Sequence, residues 1–238
     1  MRTLLRPCCM LFLLITGHAS AVALTISPVS LQMDAGQKAI SLTIKNDSAD
    51  AAPIQLRVFR WTQEKGNDQF RETDEIVISP PFVTLAASRS YNVRIFRKDT
   101  RTPAQELTYR IIIDEIPRPV DARSAGGGVK MSLRTSHPLF ITTQEAVATV
   151  TWSMKRDSRG WYVSARNDGN RHALLTDVYL VDRNSHQKVA LNVNSVNGYI
   201  LGHSYRDYDI RDAQFTPLTG HQYAVEARIN GKTITGTL

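Results

Sequence analysis

Cysteine is almost absent from this chain. Only Cys8 and Cys9 carry thiols, both close to the start of 238 residues. Beyond residue 9 there is nothing to form a disulfide or a cysteine metal site. Long apolar runs are missing too. Met10 to Ile15 is the most apolar stretch, well short of the roughly 20 residues that cross a bilayer. Nor is charge of one sign concentrated anywhere. Lys and Arg number 29 against 22 Asp and Glu, a net +7, spread over alternating positions as solvated strand faces are, which argues against a nucleic-acid patch. The histidines (His18, His137, His172, His186, His203, His221) show no metal-ligand spacing. No G-x-S-x-G elbow, HExxH or phosphate-cradling loop occurs. No catalytic constellation, metal or cofactor site is therefore expected, although Ser, His and Asp distant in sequence can converge in space.

What is present begins with a leader. Arg2 and Arg6 precede the apolar run, and Ala19-Ser20-Ala21 follows it. A charged start, a short apolar centre and an A-x-A site describe a secretory signal peptide over residues 1–21, so export is expected. Losing Arg2 and Arg6 takes the net charge from +7 to +5. The rest is long enough for two domains of about 100 residues, each with its own core.

Period-two runs fill that remainder. Thr25 to Met33, Ala39 to Ile44, Ile54-Leu56-Val58, Ile76 to Ile78, Tyr91-Val93-Ile95 and Leu107-Tyr109-Ile111-Ile113 alternate apolar and polar residues. Asp34-Ala35-Gly36, Asn46-Asp47-Ser48, Gly66-Asn67-Asp68 and Ser79-Pro80-Pro81 separate them as turns; the Pro80-Pro81 pair is a place for a cis bond. The second half repeats the texture from Ala146 to Trp152, Trp161 to Ala165, Leu174 to Val181, Val189 to Val193 and Tyr223 to Ile229. There Asn230-Gly231 predicts a type I′ hairpin. About seven strands per half, with no helical pattern, predict an all-β chain of two immunoglobulin-like β-sandwiches, residues 22–138 and 139–238; pattern alone leaves a barrel open.

Two segments break the rhythm. Ile116 to Asp121 carries Pro117 and Pro119 and cannot be a central strand; with Ala122 to Gly128 it makes a loop of about a dozen residues, long for a hairpin. Ser136-His137-Pro138 is expected to end the following strand and open the hinge between domains. Between them lies the most telling stretch, Gly126-Gly127-Gly128 leading into 129–135. Val129, Met131, Leu133 and Thr135 share one face, and Lys130, Ser132 and Arg134 the other. A flexible glycine leash before such a strand fits a plain turn or a strand offered to another chain.

Several segments together resemble a known family. Leu24-Thr25-Ile26-Ser27-Pro28, Ser41 to Asn46, Ser79-Pro80-Pro81-Phe82, Tyr91-Asn92-Val93-Arg94-Ile95 and Tyr109 to Pro117 are similar, in that order, to the first domain of PapD-like periplasmic chaperones of chaperone–usher pili. The second half matches chiefly in size and strand count, while Phe59-Arg60-Trp61 and the Ser-Pro-Pro-Phe segment look most like the archaic branch. The resemblance implies two immunoglobulin-like domains set in an L or boomerang, a periplasmic location and no enzymatic activity. Its implied partners are pilus or fimbrial subunits and an outer-membrane usher, with no nucleic acid or small-molecule substrate; self-association of the free chain stays open. It also implies a mechanism. A subunit lacking its last strand exposes core surface and unpaired backbone, and the chaperone completes it by strand addition, a mode for which chaperone–pilin pairing is a standard example. Val129, Met131 and Leu133 would then fill successive groove pockets, with Thr135 a shallower fourth. Each of the three larger side chains contributes about 1.5–3 kcal/mol of transfer free energy.

The resemblance further implies a basic anchor for the subunit's C-terminal carboxylate in the cleft between domains. In the classical branch of the family one basic residue lies on the first strand and one late in the donor strand. Here no Lys or Arg occurs from Val22 to Gln37, Ser30 stands where the first would be, and Pro138 falls near the second. Arg110 is the replacement candidate, because a guanidinium grips a carboxylate bidentately; Arg134 and Lys130 follow. A solvated Arg110 paired with Asp114 is the alternative. Arg94 is expected to support the domain interface by an ion pair. Trp61, Trp152 and Trp161 read as core or inter-domain packing in preference to sugar platforms. A secreted two-domain adhesin or glycan-binding module remains the rival to the chaperone.

Overall fold

A computed structural model describes residues 23–117, 132–212 and 214–238. The expected leader at 1–21 and most of the long loop lie outside the described residues. Every regular element described is a β-strand. The first sandwich uses β1 (Leu24–Ser27), β2 (Leu31–Asp34), β3 (Ala39–Asn46), β4 (Ala52–Glu64), β5 (Asn67–Glu72), β6 (Ile76–Ser79), β7 (Phe82–Leu85), β8 (Ser90–Arg97), β9 (Leu107–Glu115) and β10 (Arg134–Thr142). One sheet has the order β1-β3-β8-β6; the other runs β2-β10-β9-β4-β5, with β7 also on β4.

Alternation builds the first core. Ile54 and Leu56 of β4, Tyr109, Ile111 and Ile113 of β9, and Leu139 and Ile141 of β10 face Leu42, Ile44, Val93 and Ile95 of the opposite sheet, all buried. The run from Thr25 to Met33, expected as one strand, is two. β1 pairs with β3, then the chain crosses at Pro28–Ser30 and β2 pairs with β10 in the other sheet. Among the described residues, Ser27–Pro28 and Ser79–Pro80 are cis.

The hinge expected at Ser136-His137-Pro138 is not there. β10 passes unbroken through these residues to Thr142, paired with β9 from Arg134 opposite Asp114 to Ile141 opposite Leu107. Leu139 and Ile141, assigned to the second domain from the sequence, pack in the first core. Proline is tolerated at 138 because its nitrogen points away from β9, toward the sheet edge.

The second sandwich comprises β11 (Val150–Asp157), β12 (Gly160–Asn167), β13 (Ala173–Asp182), β14 (Lys188–Ala190), β15 (Tyr199–Ile200), β16 (Ser204–Asp209), β17 (Tyr223–Ile229) and β18 (Lys232–Thr237). β11-β12-β16 form one sheet and β14-β13-β17-β18, with β15 on β13, the other. Trp152 and Trp161 pack against its core. Asn230 and Gly231 both have positive φ, 48° and 81°, as the expected hairpin requires.

One device recurs in both sandwiches. Asn46, at the end of β3, is fully buried, and its amide donates to the carbonyls of Asp50, Leu85 and Ala86. Asn167, at the end of β12, donates to those of Arg171, Ile200 and Leu201 in the same way. Each side-chain oxygen accepts the backbone N–H two residues on, at Ser48 and at Gly169. Each asparagine thus satisfies a loop's buried backbone groups from one strand end.

Candidate functional site

The site is an incomplete sheet edge beside the joint between the sandwiches. β2 covers β10 only from Leu139 to Thr142, in parallel register with Leu31 to Asp34. From Arg134 to Pro138 the described structure places no strand on that side of β10. The N–H of Glu115 donates to the carbonyl of Leu133 at 2.9 Å, so residues 133, 135 and 137 direct their backbone groups to β9. Antiparallel alternation then turns the N–H and C=O of Arg134 and Ser136 to the open edge. Such an edge is a template for another strand.

Its near end is pinned by side chains. The Leu133 N–H donates to Oε2 of Glu115 at 3.1 Å, and the Ser132 hydroxyl to the Glu115 carbonyl at 3.1 Å. Arg134 pairs with Asp114, which also accepts from Arg57 at 2.6 Å. Burial pushes the Asp114 carboxyl up, but the bonds from Arg134 and Arg57 outweigh it and hold the group below the usual carboxylate range. At the far end His137 is buried against the β1–β2 crossover. Its Nδ1 lies 3.1 Å from the Val29 carbonyl and its Nε2 3.1 Å from the Thr135 hydroxyl. A neutral ring protonated at Nδ1 satisfies both contacts. Burial accordingly lowers its pKa.

Of the residues singled out in the sequence, Leu133 and Thr135 are half-buried and share a face with Leu139 and Ile141. Val129, Lys130 and Met131 lie outside the described residues, as do the three glycines. Arg110 and Arg134 occupy opposite ends of the open edge: Arg110 is opposite Pro138, and Arg134 opposite Asp114. Four residues separate these rows, about 13 Å of strand.

Arg110 is only 8% exposed. Its guanidinium sits 3.9 Å from the Trp61 ring centroid and 5.4 Å from that of Tyr199. It does not pair with Asp114, which is taken by Arg57 and Arg134. No carboxylate bonds Arg110 among the described residues, and its Nε is buried without a partner. Burial lowers its pKa, opposed by the charge of Asp68. Among the described residues, therefore, Arg110 is a buried, stacked guanidinium with no bonded anion.

The joint that buries Arg110 is aromatic and hydrogen-bonded. Trp61, Phe140, Tyr199 and Leu201 form a small core between the sandwiches, with ring separations of 5.6–6.0 Å. Gln63 of β4 bridges the gap, its amide donating to the Tyr199 carbonyl and accepting from the Leu201 N–H, each at 2.9 Å. Asp68 accepts from Trp61 Nε1 and pairs with Arg206 of β16. Glu106 accepts from both the backbone and the ring of His172 at 2.8 Å, and that ring stacks on Phe140 at 3.6 Å. Arg94 takes no part; it is exposed on the opposite sheet, 5.8 Å from the Phe96 ring. The contacts of Gln63, Arg57 and His137 were not legible in the chain's local pattern, since each depends on register across strands distant in the sequence.

The described residues thus make a two-domain, immunoglobulin-like β-protein whose first sandwich leaves part of the β10 edge uncovered by any described strand. Residues 23–145 match the model of a family described as pili and flagellar-assembly chaperone, PapD N-terminal domain. That is just over half of the chain, and the chain belongs to this family. Among curated relatives, a probable fimbrial chaperone, EcpB, of Escherichia coli O157:H7 is 29% identical over 106 residues, 43% of this chain and 47% of the relative. The chain thus matches about half the length of these curated relatives. Among solved structures, the CsuC–CsuE chaperone–tip adhesion subunit complex from archaic Csu pili of Acinetobacter baumannii aligns with a TM-score of 0.68 at 21% identity, covering 90% of this chain and 96% of that one. The Salmonella enterica SafA pilin–SafB chaperone complex aligns at 0.63 and 12% identity, covering 93% and 99%. At these identities the likeness is one of fold, and it extends over both sandwiches.

Proposed function

We propose that this chain is a periplasmic chaperone that stabilises pilus subunits by lending them β10 and passes them to an outer-membrane usher, in the archaic branch of its family. The observation that carries this reading is the edge of β10 from Arg134 to Pro138, on which no described strand lies. A subunit strand docking there finds the backbone groups of Arg134 and Ser136 unpaired on its side. It continues the line of β2, which already runs parallel to β10, and its end abuts the β1–β2 crossover. Its terminal carboxylate then falls in the row of Pro138 and Arg110, and Arg110 anchors it. Leu133 and Thr135, with Val129 and Met131 before them, enter the subunit's groove. Backbone pairing adds about 1 kcal/mol per net hydrogen bond to the side-chain burial, from which association and ordering costs are subtracted. The free strand of the next subunit then releases the chaperone by replacing β10.

Co-expression of the full chain with a pilus subunit tests this directly. A soluble one-to-one complex is expected, and Leu133→Asp is expected to abolish it, because a carboxylate cannot enter a dry pocket without a partner. An undiminished yield with Leu133→Asp would remove the donor role from this strand.

A further inference from the structure

The outer face beside the open edge carries an unbalanced charge. Two guanidiniums, Arg57 and Arg134, meet one carboxylate, Asp114. Asp114 is only 14% exposed at its side chain, whereas Arg57 is 41% and Arg134 69% exposed. The acid is therefore covered by its own partners, and the surplus positive charge faces solvent. Fixed strand register places this cluster relative to Arg110. Side chains of 134, 136 and 138 share one face with Asp114, Ile112 and Arg110, to which they lie opposite. The rows, from the joint outward, are Arg110 with Pro138, Ile112 with Ser136, and Asp114 with Arg134. Ile112 is half-buried and uncharged between two cationic rows.

From this register we infer that the docking face selects a strand with an acidic side chain four residues before its C-terminal carboxylate. The inference rests on the proposed docking at β10 and its anchor at Arg110. A strand parallel to β10 whose terminal residue lies in the Arg110 row sets the side chain two residues before its end over Ile112 and Ser136. Two residues earlier, its side chain lies beside Arg134 on the same face, while Arg57, two strands further in on β4, acts through its share of Asp114. A second carboxylate there neutralises the surplus guanidinium; a Lys would add a third cation to the cluster. β2 fixes the frame, because it occupies the edge from Leu139 onward and prevents the strand from sliding past the Arg110 row. The occupant is thus a peptide strand carrying two anions separated by about 13 Å, its own terminus and one side chain.

Nine-residue peptides of alternating Val and Ser test this, with Glu, Gln or Lys four places before a free C-terminal carboxylate. Each carries an N-terminal dye, and binding to the full chain is followed by anisotropy at low salt. The expected order is Glu over Gln over Lys, with about a three- to fivefold step from Glu to Gln, the size of a partly exposed ion pair. In Arg134→Gln the Glu-to-Gln ratio should fall to about one, since Arg57 and Asp114 then balance. Amidating the terminus, or Arg110→Ala, should weaken all three peptides alike. Equal affinity for the three peptides, with sensitivity to amidation retained, overturns the selectivity and leaves the anchor standing. A ratio unchanged in Arg134→Gln also overturns it. Selectivity without any effect of amidation or Arg110→Ala refutes the anchor, and with it the register inferred here. Binding by no peptide overturns both.

Discussion

Replacing Arg110 by Met separates a guanidinium kept for binding from one kept for folding. In the free chain the group is 8% exposed, stacked 3.9 Å from Trp61, with its Nε buried and unpartnered. Stacking on an indole contributes about 0.5–2 kcal/mol, and desolvating the charge without a bonded anion opposes it by a similar amount. Methionine preserves much of the apolar stem and leaves no carboxylate orphaned. The free chain is therefore expected to keep its stability within about 1 kcal/mol, a melting shift of roughly 2–4 °C in a protein of this size. Binding should behave differently. Losing a charge-assisted, bidentate contact to a terminal carboxylate removes about 2–3 kcal/mol, which is roughly 30- to 150-fold in Kd. Calorimetric melting of the free chain and titration with a carboxylate-terminated subunit peptide give the two numbers. A large fall in melting temperature with binding reduced only in proportion to unfolding would show that Arg110 is a pillar of the joint and refute the anchor.

Three further outcomes follow from the same geometry. Burial lowers the folded pKa of His137 below 6.5, so the unfolded chain binds the extra proton first. This contribution to stability is complete above pH 6.5 and is lost as pH falls through the folded value; denaturation at stepped pH should show the slope, and His137→Gln should flatten it. Trp61→Ala empties the centre of the small core between the sandwiches and should destabilise the joint by about 3–5 kcal/mol, seen as a broader range of domain orientations in solution scattering while each sandwich stays folded. Asn167→Ala leaves the carbonyls of Arg171, Ile200 and Leu201 without their shared donor and should cost about 2–3 kcal/mol in chemical denaturation; a change under 0.5 kcal/mol would contradict that role.

The strands were legible because their alternation is strict. Ile54-Leu56-Val58 and Tyr109-Ile111-Ile113 announce both period and buried face, and Asn230-Gly231 announces its turn. β10 was misread at its end because Pro138 looks like a stop. A proline whose nitrogen faces the sheet edge removes no bond to β9, so the strand continues. The division of Thr25 to Met33 into β1 and β2 was hidden as well, since both halves keep the same alternation while changing sheets. For the site, the choice of Arg110 needed only the family resemblance and the lack of a basic residue from Val22 to Gln37. Its burial against Trp61 and Tyr199 could not be read, because Tyr199 belongs to the other sandwich. Arg134 as partner of Asp114, and Arg57 reaching the same carboxylate from the next row of β4, depend on register between β4, β9 and β10, which local pattern does not set. The paired asparagines were visible as Asn46-Asp47-Ser48 and Asn167-Asp168-Gly169. They read as turns, and only the folded chain shows that each closes a loop from a strand end.

Amide hydrogen exchange resolved by residue along β10, with and without a bound subunit, tests the central claim most directly. Arg134 and Ser136 should exchange freely in the unbound chain and become strongly protected in the complex, while Thr135 and His137, bonded to β9, are protected in both. Arg134 and Ser136 amides that are already slow in the free chain, or that stay fast when a subunit is bound, would contradict the account.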